Sequence, residues 1–272
     1  MISKELVWDN VDKVRGSSPL VHSITNYVAM NFTANALLSA GASPIMAHAK
    51  EELEELIGMA GSVVLNIGTL SSGWIESMQL AASIAAVNYK PLILDPVGAG
   101  ASRLRTDTAI SLLKDGGVTV VRGNASEIMA LAGAGNITHG VDSCHSTDAA
   151  LVSAKALALK YRCVVAISGW VDRVTDGKIV YSIKGGSEYM SLVTGMGCTA
   201  TALCAAHMAI SENKLAAAIT GMGAMAAAGG LAEVKANGPG TFAVHFLDAL
   251  HTMTENDVNR LIEVEVDDEA TC

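Results

Sequence analysis

Aromatic side chains are scarce. Phe, Trp and Tyr make up 4% of the 272 residues, although half of the chain is apolar. A core built from this sequence rests on Ala, Val, Leu, Ile and Met. Charge is scarce as well. Only 17% of the residues are charged, Lys and Arg total 18 against 27 Asp and Glu, and the formal net charge is −9. Nucleic-acid binding needs a basic face that displaces counterions, and the sequence has no basic run to supply one. The five cysteines are an odd number with no Cys-x-x-Cys pair. That argues against a disulfide framework or a zinc site, and for a reducing, cytoplasmic setting. The seven histidines show no metal-ligand spacing, and no Walker A sequence occurs, so the P-loop class is excluded. The first residues, Met1-Ile-Ser-Lys-Glu-Leu-Val-Trp8, are acidic where a signal peptide has its apolar core. Residues 215–232 carry no charge over about a membrane-spanning length. They are mostly Ala and Gly, with few large apolar groups and no Lys/Arg or aromatic flanks of the kind a span carries, so the expectation is a buried, closely packed helix and no membrane span.

What is present is a regular alternation. Helical spacing marks residues 3–16, 27–39, 51–58, 74–87, 106–113, 126–131 and 146–160. Between them lie short apolar runs at 19–26, 42–46, 63–67, 91–95, 118–121 and 163–167. Those from residue 63 onward are continuously apolar, which marks parallel strands covered on both faces. Val171-Asp-Arg-Val174 and Lys178-Ile-Val-Tyr-Ser182, joined by Asp176-Gly177, read as a hairpin at one edge. From Gly197 the chain reads as helix, with an acidic, frayed tail over 263–269. No linker or repeat divides the chain, so residues 1–272 are expected to form one α/β domain.

In such sheets ligands gather at the carboxyl ends of the strands. Gly68, Asp95, Arg122, Asn124, Glu127 and Ser168 fall there. A strand-like lead-in from Ser191 reaches Thr194-Gly195-Met196-Gly197-Cys198, and an Ala-rich helix follows. Two closely spaced glycines allow a sharp turn with uncovered N–H groups, and the helix adds its own unpaired N–H groups and its positive end. That combination suits a phosphate and points to a small-molecule kinase with Cys198 at its centre. A helix N-terminus is expected to lower the thiol's pKa. Asn124-Ala-Ser-Glu127 reads equally as a capping box or as a helix start whose Glu127 organises Mg²⁺ through waters, with Asp95 as second carboxylate. Arg122 reads as a surface residue or as a clamp on a nucleotide phosphate. Gly98-Ala-Gly-Ala-Ser102 lacks the third glycine of a dinucleotide fingerprint and reads as a flexible phosphate or substrate loop.

Taken together, six stretches resemble the hydroxyethylthiazole kinase family of the ribokinase-like superfamily. They are Pro19-Leu-Val-His-Ser-Ile-Thr-Asn-Tyr-Val-Ala-Met-Asn31, Ala40-Gly-Ala-Ser-Pro-Ile-Met46, Leu65-Asn-Ile-Gly-Thr69, Leu94-Asp-Pro-Val-Gly-Ala-Gly-Ala-Ser102, Val121-Arg-Gly-Asn-Ala-Ser-Glu127 and Thr194-Gly-Met-Gly-Cys198. The resemblance implies a three-layer sandwich with a mostly parallel sheet, helices on both faces and an antiparallel edge hairpin. It implies ATP-dependent phosphorylation of the hydroxyl of 4-methyl-5-(2-hydroxyethyl)thiazole in thiamine salvage, with Mg²⁺ and a homotrimer whose active sites lie between subunits. Met46, Gly195, Asn26 and Gly68 then correspond to substrate contacts. Arg122, Ser168, Asn124 and Thr194 correspond to ATP contacts, and Asp95 and Glu127 to metal organisers. Gly195, Gly197 and Cys198 form the anion hole and catalytic centre. The superfamily commonly has Asp where Cys198 stands, so positioning and charge neutralisation are expected to outweigh base catalysis, and turnover is expected to be modest. The same residues leave open a kinase for another small alcohol such as hydroxymethylpyrimidine, a non-catalytic ligand-binding module, or, least well supported, an NAD-dependent oxidoreductase.

Overall fold

The continuous apolar runs become strands, and the periodic segments become the helices that cover them. The structure is a computed structural model that describes residues 2–115, 117–133 and 147–267. In chain order the elements are α1 (Lys4–Ser17), β1 (Leu20–Ile24), α2 (Met30–Ser39), β2 (Ser43–Ile45), α3 (Leu53–Met59), β3 (Ser62–Asn66) and α4 (Ser72–Val87). Then come β4 (Leu92–Asp95), α5 (Arg103–Asp115), β5 (Val118–Asn124), α6 (Ala125–Leu131), α7 (Thr147–Tyr161), β6 (Val164–Ser168), β7 (Val171–Thr175) and β8 (Val180–Lys184). The chain ends with α8 (Met196–Met208), α9 (Lys214–Lys235), α10 (Pro239–Thr252), α11 (Glu255–Leu261) and β9 (Glu263–Val266). One sheet holds the described strands in the order β2-β1-β3-β4-β5-β6-β7-β8-β9. It is parallel from β2 through β6 and antiparallel from β6 to β9.

Alternation along each strand divides the apolar side chains between two cores. Val64, Ile93 and Val120 join Val7 of α1, Phe242 and Phe246 of α10 and the alanines of α8 and α9. Val63, Leu65, Leu94 and Val121 join Leu53, Met78, Leu112 and Leu157 on the opposite face. The shortage of aromatics is resolved by close approach. A Cβ at Gly221 of α9 would lie 2.6 Å from the main-chain N and Cα of Cys204 in α8, so these two helices meet backbone to backbone. By length and composition α9 could cross a membrane, yet 89% of its apolar window is buried inside the protein.

Two local readings are corrected. The lead-in at residue 191 is not extended: Glu188–Leu192 is a 3₁₀ turn, opened by the Ser187 hydroxyl accepting from the N–H of Tyr189. Residues 263–266 are not frayed. They are β9, whose alternating Val264 and Val266 pack on the first core while Glu263 and Glu265 meet Lys184 across β8. The antiparallel side of the sheet therefore has one strand more than the hairpin, and β9 forms the rim. Cys163, Cys198 and Cys204 are free thiols. Cys144, His139, His145, Cys272 and residues 268–269 lie outside the described residues.

Candidate active site

The carboxyl ends of β3, β4, β5 and β6 meet the first turn of α8. Register pairs Asn66 with Asp95 and Asn124 with Ser168 at those ends. Helix α8 starts abruptly because its N-cap is Gly195, at φ 88°, a conformation that strains any residue with a Cβ. The first main-chain helical bond runs from Thr199 N–H to Gly195 O at 2.8 Å. The amides of Met196, Gly197 and Cys198 therefore have no partner within the helix. Gly197 lets the helix approach Arg122: a Cβ there would lie 2.7 Å from Nη1. Arg122 is a buried residue of β5, and its Nη2 donates to the Ser168 hydroxyl. Its Nε has no hydrogen-bond partner. A buried guanidinium with a donor unspent faces open amides, and both suit an anion.

Cys198 stands in that first turn and is held from the side. Asn26 Nδ2 donates to its Sγ at 3.2 Å and to Asn66 Oδ1 at 2.8 Å, while Asn26 Oδ1 accepts the N–H of Ala29 at 2.9 Å. Asn66 Oδ1 also accepts the N–H of Gly68 at 2.9 Å. Asn66 Nδ2 donates to Asp95 Oδ2 at 2.7 Å, and Thr201 of α8 donates to the same oxygen at 2.8 Å. Asp95 is 1% exposed, and its other oxygen, Oδ1, has no partner.

Burial pushes the Asp95 carboxyl up to about 6. Arg122 opposes that shift, Glu127 adds to it, and the bonds from Thr201 and Asn66 favour the charged form. Burial first, and the Asp95 charge second, push the Cys198 thiol up to about 11 against the bond from Asn26. The expected lowering by the helix end is overturned, because desolvation and a nearby negative charge outweigh half a unit of positive dipole. Cys198 is a thiol at neutral pH.

The geometry at Glu127 is that of the capping box. Asn124 Oδ1 accepts the N–H of Glu127 at 2.9 Å, and Glu127 Oε2 accepts the N–H of Asn124 at 2.8 Å, closing a capping box on α6. Glu127 Oε1 accepts the N–H of Gly98 at 2.8 Å, in the loop after Asp95. That loop is built from φ-positive Gly98 and Gly100, and Arg105 fastens it. Arg105 Nη1 donates to Val97 O at 2.7 Å, and Nη2 to Gly68 O at 2.8 Å. Among the described residues no three His, Cys, Asp or Glu side chains group as a metal site. Two oxygen-bearing carboxylates, one with an unpartnered oxygen, do suit Mg²⁺, which takes few protein ligands and keeps its waters.

Beside this centre lies a cavity of about 910 Å³. Arg122, Asn124, Ser168 and Gly197 contribute to its lining, as do the apolar Met222 and Met225. Its volume falls in the range of ligand sites. The structure thus brings together Arg122, Asn124, Ser168 and Gly197 around the cavity, and Asn26, Gly68, Asp95 and Cys198 around Asn66. Thr194 is exposed just before the Gly195 turn. Met46 is half-buried against the first core, and neither residue lines the cavity. Asn66, Thr201 and Arg105 were not singled out from the sequence. Asn66 had a signal, as an amide ending an otherwise apolar strand.

A mostly parallel sheet with an antiparallel side, and a glycine-capped helix set against an arginine at the strand ends, define a ribokinase-like protein. The pyridoxal kinase of Staphylococcus aureus in complex with ADP shares this fold, with a TM-score of 0.62 at 18% identity over 79% of this chain and 89% of that one. The chain belongs to the hydroxyethylthiazole kinase family, whose model matches residues 11–256. It is 56% identical to the hydroxyethylthiazole kinase of Oleidesulfovibrio alaskensis, covering 97% of this chain and 99% of the relative. The hydroxyethylthiazole kinase structure from Pyrococcus horikoshii OT3 superposes with a TM-score of 0.89 at 41% identity, over 96% of this chain and 99% of that one. The protein is thus an enzyme, a kinase with ATP as co-substrate and a small molecule as acceptor.

Proposed function

We propose that the protein transfers the γ-phosphoryl group of ATP to the hydroxyl of 4-methyl-5-(2-hydroxyethyl)thiazole, a salvage step toward thiamine. The observation that carries the reading is the open α8 terminus between Arg122 and Cys198, in a chain of this family. ATP occupies the 910 Å³ cavity, with Arg122, Ser168 and Asn124 toward its phosphates. The N–H groups of Met196, Gly197 and Cys198 receive the transferring group, where fixed donors stabilise charge without reorganising. Asn26, Gly68 and Met46 face the thiazole, and Thr194 leads into the anion hole. The acceptor oxygen bonds to Pγ as the bond from Pγ to the bridging oxygen breaks, and ADP leaves. A thiol near 11 is no base, and the loose transition state needs little deprotonation. The hydroxyl proton is therefore lost late, to a phosphoryl oxygen and then to water, while Cys198 orients the hydroxyl. Asp95 and Glu127 would hold Mg²⁺ through waters, and the ion would supply charge neutralisation on the phosphate oxygens.

The active unit is a cytoplasmic homotrimer of single-domain subunits with sites between them. Tyr27 and Val28, which follow Asn26, support this: they are 66% and 64% exposed on one chain, as surfaces awaiting a neighbour are. The test is ADP release from ATP and Mg²⁺, with hydroxyethylthiazole and hydroxymethylpyrimidine offered separately. Turnover with the thiazole alone is expected. Turnover with the pyrimidine alone overturns the substrate, and release with neither overturns the reading.

A further inference from the structure

The catalytic centre contains a side chain with three neighbours and no place in the chemistry above. Asn66 ends β3, the strand between those that lead to Asn26 and Asp95. Its amide is used on both sides. Oδ1 accepts from Asn26 Nδ2 (2.8 Å) and from Gly68 N–H (2.9 Å), and Nδ2 donates to Asp95 Oδ2 (2.7 Å). These partners fix which way the amide faces, because a flipped amide would set N–H groups against Asn26 and Gly68, and an oxygen against a carboxylate. The approach of Asn26 is equally constrained, since a Cβ at Gly68 would lie 2.8 Å from its amide. The same Asn26 nitrogen reaches Cys198 Sγ. An unbroken chain of bonds therefore runs from the Cys198 thiol through Asn26 and Asn66 to Asp95. At the Asp95 end, both side-chain donors fall on Oδ2, and buried Oδ1 is left without a partner.

We propose that Asn66 is a positioning residue for phosphoryl transfer, tying the side of the site that holds the acceptor hydroxyl to the carboxylate on the phosphate side. Resting on the function proposed above, this assigns Asn66 no contact with substrate. Its amide sets the separation and angle between Cys198 and Asp95, and engages one carboxylate oxygen so that the other stays turned toward the site. Loss of such a tie blurs the line of attack without removing any group that binds ATP. Misplacement of a reacting group by about 1 Å can cost about 10²-fold in rate. The active site then discriminates less well between the acceptor hydroxyl and water.

The test compares wild type with Asn66→Ala, recording thiazole phosphate and ADP formed in the same mixture. The expected result is a fall in kcat of about 10- to 100-fold, a KM for ATP within about twofold, and an increased share of ADP formed without thiazole phosphate. Loss of folded protein alone would lower both products in proportion and leave their ratio unchanged. An unchanged ratio, or kcat within about twofold of wild type, overturns the proposal. Should Asn66→Ala fail to fold, Asn66→Ser keeps a polar atom at the strand end, is too short to bridge the two neighbours, and is read by the same ratio. A wild type that forms no thiazole phosphate sinks the proposed function. A working wild type with an unmoved ratio sinks only the role of Asn66.

Discussion

Helices α6 and α8 both begin at the carboxyl edge of the sheet, and they begin in opposite ways. The start of α6 is satisfied by its own side chains: Asn124 and Glu127 accept each other's N–H, and the carboxylate has one oxygen left for Gly98. The start of α8 is capped by Gly195, which has no side chain to offer. One end is closed by the protein, and the other is left for a ligand. The residue at the cap position, more than the dipole common to all helices, decides which end can receive a phosphate.

The sharpest way to break this comparison is to disturb the open end. Gly195→Ala forces a Cβ into φ 88° and toward Ala29 at 3.3 Å. We expect kcat to fall by about 10² or more, the scale of losing one anion-hole donor. ADP release measures it, and activity within threefold of wild type would mean that the α8 end receives nothing. Next comes the closed end. Glu127→Ala leaves the N–H groups of Asn124 and Gly98 without their acceptor and should lower unfolding stability by about 2 kcal/mol in denaturant titration. Glu127→Gln keeps a carbonyl oxygen for one of them, so it should recover part of that stability while Mg²⁺-dependent turnover stays low. Equal stability of the two variants would detach the carboxylate from the cap. Asn124→Ala removes only the cap acceptor and should cost about 1 kcal/mol, read in the same titration.

The smallest effect is one of pH. Cys198 sits at an open helix end, yet burial and Asp95 push its thiol up to about 11. A raised pKa means that the thiolate appears only as pH climbs toward that value. Alkylation by iodoacetamide should therefore be slower at pH 8 than for a free thiol and should rise through pH 9 and 10. Asp95→Asn removes the second cause of the shift and should speed alkylation at pH 8. A rate that is already flat at pH 8 would restore the dipole as the dominant influence. Cys204 and Cys163, buried and pushed up to about 12, should stay silent in the folded protein.

Much of the frame was legible because it depends on local pattern. Continuous apolar runs ending in Gly68, Asp95 and Ser168 marked parallel strands and the rim where ligands gather. The glycines at 195 and 197 marked the turn before α8. The pKa of Cys198 was not legible, because the sequence announces a helix start but not the depth at which it is buried or the carboxylate beside it. Asn66 escaped notice because its role is set by residues 40 and 29 positions away. Arg105 reaches back 37 residues to Gly68 O, a contact that no local period encodes. The strand β9 was within reach: Glu263-Val-Glu-Val266 alternates with a period of two, but its acidity suggested a solvated tail. Its partner Lys184, some 80 residues earlier, turns that acidity into cross-strand pairing.

The two cores differ in when they can close during synthesis. The face covered by α3 to α7 draws on neighbouring stretches of chain, interleaved with β3 to β6, and can consolidate as each emerges. The face covered by α1, α8, α9 and α10 joins Val7 to Phe242 and Phe246, and the sheet gains its last strand only at residues 263–266. A ribosome that has released the chain only through β8 therefore holds a sheet with one apolar face covered by α1 and α2 alone and the β8 edge unpaired. Such surfaces invite association with other chains. For this protein, the vulnerable interval of biogenesis is the time taken to translate the final helices.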